Sequence, residues 1–132
     1  MAVGIKEVLI VDDEEPLLLS IADGLSVYRK YFNLRTALNG AEAVKVLKLY
    51  PADLVVTGLM MPVMDGFELV SYIKRHYPKI PVILMTTCGT PKIEEIFYNM
   101  GVFRYMEKPM TIDQLTDSIF DALSIKPVGY DI

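Results

Sequence analysis

Five short strand-like runs, each followed by a segment with helical spacing, constrain this chain more than any other feature. Val8-Leu9-Ile10-Val11 is continuous and apolar and stops at Asp12-Asp13-Glu14-Glu15. Such a run suits a strand buried on both faces. Pro16 fits a first helical turn, where its missing N–H costs nothing, and Leu18, Ile21, Ala22 and Leu25 keep helical spacing, so a first helix is expected to about Tyr31. The alternation then repeats. Leu34 to Ala37, Asp53 to Thr57, Pro81 to Met85 and Phe103 to Met106 read as strands. Segments around Ala41–Leu47, Phe67–Ile73, Pro91–Met100 and Thr111–Leu123 read as helices, with Pro78 ending the third and Thr111 capping the fifth. Strands alternating with helices imply right-handed crossovers and a parallel sheet covered on both sides, a doubly wound three-layer α/β sandwich of five strands and five helices.

The 132 residues suffice for one domain, expected over 1–125, with a loosely ordered tail at 126–132. A net charge of −4 offers no long-range attraction for nucleic acid or an anionic membrane. The single cysteine, Cys88, excludes an internal disulfide and suits a reducing compartment. With no signal-like or membrane-spanning apolar stretch, a cytoplasmic protein is expected.

Ligands of open parallel sheets bind beyond the carboxyl ends of the strands, so the residues there carry the chemistry. Here they are Asp12-Asp13, Thr57-Gly58, Thr86-Thr87 and Lys108-Pro109. Adjacent carboxylates repel and call for a cation, for which Mg²⁺ is the natural candidate. Otherwise these acids simply favour the positive end of the first helix dipole. Lys108 can meet the acids or a phosphoryl oxygen, and Thr86 can donate to a phosphate or cap the next loop. His76 reads as a surface residue and Cys88 as an ordinary loop thiol.

Together these residues resemble the response-regulator receiver family, the phosphoacceptor modules of two-component signalling, over almost the whole chain. The motifs are Val11-Asp12-Asp13-Glu14, Thr36-Ala37-Leu38-Asn39-Gly40, Met61-Pro62-Val63-Met64-Asp65-Gly66, Pro81 to Thr86 and Tyr105-Met106-Glu107-Lys108-Pro109. The resemblance implies a flavodoxin-like (βα)5 fold. It implies Asp12 and Asp13 as a magnesium-binding acid pair, Thr86 as the switch hydroxyl, Tyr105 as the switch aromatic, and Lys108 followed by an often cis Pro109. Met61, Pro62, Asp65 and Gly66 form the loop after strand three. The family's phosphorylated aspartate stands four residues before the loop proline, and here that position is Gly58.

Glycine cannot act as the nucleophile. Thr57 should point to the other face of the sheet and lacks an activating base. The leading expectation is therefore an atypical, non-enzymatic receiver that works by protein interaction, constitutively or through another ligand, with Mg²⁺ bound weakly at most. Partners would be a sensor kinase or output protein meeting the face of helix four, strand five and helix five, or a second copy of the chain. Met100, Val102, Phe103 and Met106 add apolar character there. Two alternatives stand beside it: a conventional receiver altered to Gly58, and a small Mg-dependent phosphatase using Asp12, whose usual Asp-x-Asp spacing is absent.

Overall fold

The computed structural model describes residues 4–126. Five parallel strands, β1 (Lys6–Val11), β2 (Phe32–Ala37), β3 (Leu54–Gly58), β4 (Val82–Thr86) and β5 (Arg104–Glu107), lie in the order β2-β1-β3-β4-β5. Helices α1 (Glu15–Leu25), α2 (Gly40–Leu49), α3 (Gly66–His76) and α4 (Pro91–Asn99) make the four crossovers, and α5 (Ile112–Leu123) follows the last strand. The order reverses between β1 and β3, which opens a crevice beyond their carboxyl ends.

Side-chain parity assigns the two faces. Val8, Ile10, Leu54, Val56, Ile83 and Met85 pack with α1 and α5, whereas Leu9, Val11, Val55, Val82 and Leu84 pack with α2, α3 and α4. Because neighbours along a strand alternate sides, Val8–Val11 of β1 and all of β3 and β4 are buried on both faces and read as near-continuous apolar runs, whereas the edge strands β2 and β5 are partly exposed and carry Asn33, Arg35, Arg104 and Glu107. The same parity places Asp12 and Gly58 toward α1 and α5, and turns Thr57 toward the other layer.

Polar caps fix the helix starts. Asp65 and Glu68 form a reciprocal capping box at α3, as do Thr111 and Gln114 at α5, while Asn39 and Thr90 cap α2 and α4. Thr111 therefore caps α5 as its sequence suggests. The first helix is shorter than expected: it ends at Leu25, and Ser26–Tyr28 forms a 3₁₀ turn. The Ser26 hydroxyl donates to the Asp23 carbonyl, and Tyr28 and Tyr31 turn edge-on to Phe120. Packing on that ring takes the chain out of helical register. The expected tail lies outside the described residues apart from Lys126.

Candidate functional site

Asp12 leaves the end of β1 with its side chain only 1 % exposed. Its Oδ1 accepts the Glu14 amide at 2.9 Å, and its Oδ2 accepts Lys108 Nζ at 2.6 Å. A second bond from Lys108, 2.9 Å to Glu14 Oε1, completes a three-residue cluster across the crevice. Glu14 is the partner that the sequence did not single out, being read there as part of the helix start. Asp13, expected to share the pocket, points to solvent and makes no hydrogen bond or ion pair among the described residues.

Burial by itself lowers the Lys108 pKa, but the hydrogen bonds to Asp12 and Glu14 and their negative charges outweigh it and hold the pKa above its ordinary 10.5. A raised lysine pKa means that the folded state holds the proton more tightly. The pairing therefore stabilises fully below about pH 10.5 and is lost as pH rises through the higher folded value. Urea unfolding across alkaline pH is expected to show a steeper loss of stability for the wild type than for Lys108→Met.

Gly58 ends β3 directly opposite Asp12. A Cβ at Gly58 would lie 2.8 Å from Asp12 Oδ2 and 3.4 Å from its Cγ. The missing side chain thus leaves the space into which the Asp12–Lys108 pair closes. Thr57 is wholly buried, and its hydroxyl donates to the Gly58 carbonyl, away from the crevice.

The loop after β3 is shaped by two backbone requirements. A Cβ on Gly66 would fall 2.2 Å from the Gly58 carbonyl oxygen, so only glycine lets the first turn of α3 rest on the strand end. Val63, between Pro62 and Met64, has φ of 69°, a strained value for a β-branched residue. The Gly66 amide donates to the Leu59 carbonyl, closing the loop that contains Met61 and Pro62.

On the other side, Thr86 is buried and its Oγ1 accepts the Cys88 amide at 3.0 Å, so the hydroxyl caps its own loop. Tyr105 faces inward, 8 % exposed. Burial first, then the charges of Glu107, Glu94 and Cys88, raise its pKa. The Lys108–Pro109 peptide is cis. His76 closes α3 at the surface, with its ring against Tyr72, and Cys88 is an exposed free thiol. Of the apolar residues near β5, Val102 is core, Phe103 is exposed, and Met100 and Met106 are half-buried.

A doubly wound sheet with an acid, a lysine and a hydroxyl at its strand ends frames the crevice, and among known families the model of the response regulator receiver domain matches residues 8–120. The chain belongs to that family. As a receiver it is 36% identical over 115 residues to the transcriptional regulatory protein GlrR of Escherichia coli K12, covering 87% of this chain and 26% of that protein. It is 33% identical over 121 residues to a Vibrio cholerae protein named "Probable cyclic di-GMP phosphodiesterase", covering 90% of this chain and 27% of that one. The receiver thus spans about a quarter of the length of these curated relatives. Among solved structures, the signal receiver domain of an HD domain-containing protein from Pseudomonas fluorescens Pf-5 superposes with a TM-score of 0.84 at 30% identity, covering 92% of this chain and 96% of that one.

Receivers typically bind Mg²⁺ at the acidic pocket, so the donor set matters. No group of three acidic, histidine or cysteine side chains that could hold a metal occurs among the described residues. The one buried carboxylate already has a cation on its Oδ2, and Gly58 adds no side-chain oxygen. These residues do not fit a full receiver magnesium site. No helix among the described residues is long and apolar enough to cross a membrane.

Proposed function

We propose that this receiver signals through protein contacts made without aspartyl phosphorylation. The observation that carries the reading is Gly58: the strand end where the family's nucleophile stands has no side chain, and Lys108 has closed onto Asp12 beside it. In receivers the phosphoryl group supplies the anion that draws in the lysine and the hydroxyl. Here Asp12 and Glu14 already occupy Lys108, and Thr86 already holds the Cys88 amide.

The partner is a sensor kinase or output protein, or a second copy of the chain, engaging α4, β5 and α5. Exposed Ile96, Tyr98 and Phe103 give that side apolar contact area, which supports the assignment. The acidic net charge disfavours nucleic acid or an anionic membrane as direct partner, and the domain works in the cytoplasm. It is not itself an enzyme. Asp12 makes a poor phosphatase nucleophile because both of its oxygens are engaged and it is buried. Magnesium, if it binds, binds weakly.

Incubation with acetyl phosphate and Mg²⁺ followed by intact-mass measurement is expected to leave the mass unchanged. Gain of one phosphoryl group would overturn the proposal and direct attention to Asp12 or Asp13.

A further inference from the structure

β5 is the last strand on its side of the sheet, and its outer edge is covered at Tyr105. Lys108 donates its amide to the Thr86 carbonyl on β4 at 2.9 Å. In a parallel ladder the amide and carbonyl of one residue face the same neighbour, and successive residues alternate sides. Counting back in steps of two, Met106 and Arg104 face β4, and Tyr105 turns its amide outward. An outward amide on an edge strand is ordinarily available to water or to a foreign strand. Here it donates at 3.1 Å to the phenol oxygen of Tyr98, carried by α4.

The side chain of the same Tyr105 is buried among the apolar residues beneath α2, α3 and α4. Its hydroxyl has no hydrogen-bond partner among the described residues, so polar satisfaction is not what keeps it inside. Gly89, in the loop between β4 and α4, lies against it. A Cβ there would sit 1.7 Å from the hydroxyl oxygen and 2.8 Å from Cζ. Only glycine leaves room for the buried ring.

We infer that Tyr98 and Gly89 form a two-part latch, which holds Tyr105 in its buried position and fixes α4 against β5 with no phosphoryl group at the strand ends. The latch rests on the phosphorylation-independent reading above for its purpose, though it is measured separately. Tyr98 clamps the backbone of Tyr105 and Gly89 admits its side chain, so the two residues act on opposite ends of one tyrosine. Because the buried phenol has no partner of its own, loss of either contact tips the ring outward.

Amide hydrogen exchange by NMR on the full chain tests it. In the wild type, the Tyr105 amide is expected to be protected although it faces away from β4, and exchange there as fast as in an open chain overturns the latch without any variant. Tyr98→Phe keeps the ring and removes the acceptor. It should speed Tyr105 exchange roughly fivefold to tenfold, the equivalent of one ordinary hydrogen bond, while Arg104 and Met106 keep their rates. An unchanged Tyr105 rate, or an equal rise at all three, overturns the backbone clamp. Gly89→Ala should move the Tyr105 ring resonances to solvent-exposed values or lower the melting temperature, and adding Tyr105→Leu should recover any thermal loss. A ring that stays buried, or a loss that persists with leucine, overturns the Gly89 half. A phosphoryl adduct with Tyr105 still protected would remove the functional reading and leave the latch standing.

Discussion

Gly58→Asp treated with acetyl phosphate and Mg²⁺ is expected to gain one phosphoryl group, while the wild type gains none. Strand parity aims a side chain at position 58 toward Asp12, on the α1 and α5 side of the sheet, so an aspartate there enters the crevice. The Cβ alone would meet Asp12 Oδ2 at 2.8 Å. That oxygen ends a short side chain, and its carboxylate must swing aside and loosen the 2.6 Å contact with Lys108. Bringing a second carboxylate into the pocket without a metal costs on the order of 1 to 3 kcal/mol, the equivalent of one to two pKa units of repulsion. Added Mg²⁺ should recover that loss in urea titrations of Gly58→Asp and have little effect on the wild type. Gly58→Ala separates crowding from charge, because it introduces the Cβ alone. Phosphorylation of the aspartate variant would mean that the remaining apparatus is intact and that glycine alone silences it. Failure of the adduct to form while Mg²⁺ still stabilises the variant would mean that the pocket has also lost its phosphotransfer geometry.

Much of this arrangement is legible in the sequence, for a physical reason. Strands buried on both faces must be apolar throughout, so Val8–Val11 and Val82–Met85 announce themselves, and the first polar residue after each marks the crevice. Caps are local: Thr111 and Asp65 act on amides three residues ahead, within one turn. The end of α1 was not legible, because Leu25 and Tyr28 keep helical spacing even though the backbone changes to 3₁₀, and the cause is the distant ring of Phe120.

The site shows the same division. Asp12 and Lys108 stand in recognisable motifs, but the choice of Glu14 over Asp13 as the lysine's second partner depends on how the chain turns after β1. The Glu14 amide bends back onto Asp12 Oδ1 and brings the Glu14 side chain over Lys108, leaving Asp13 facing out. Tyr98 and Gly89 carry no motif at all. Their roles exist only because α4 and its loop fold onto Tyr105, a contact between elements that no local pattern encodes.

Lys108→Met is expected to destabilise the domain by about 3 to 5 kcal/mol, much more than Glu14→Gln, which should cost under about 1 kcal/mol. The two lysine contacts are similar in length, 2.6 Å to Asp12 and 2.9 Å to Glu14, so bare attraction does not separate them. Solvation does. The Glu14 side chain is 59% exposed and regains water when its partner goes, whereas Asp12 at 1% keeps only the Glu14 amide. The penalty of Lys108→Met is therefore that of a stranded buried charge, and adding Asp12→Asn should return most of it by removing that charge. Urea unfolding of the two single variants and the double variant closes the cycle. A loss for Lys108→Met no greater than for Glu14→Gln would mean that water reaches Asp12 freely. In that event the closed pair would give way readily to an incoming cation or phosphoryl group. A large loss recovered in the double variant would mean that the lysine is committed to the fold, and that a ligand displacing it must first supply the missing positive charge.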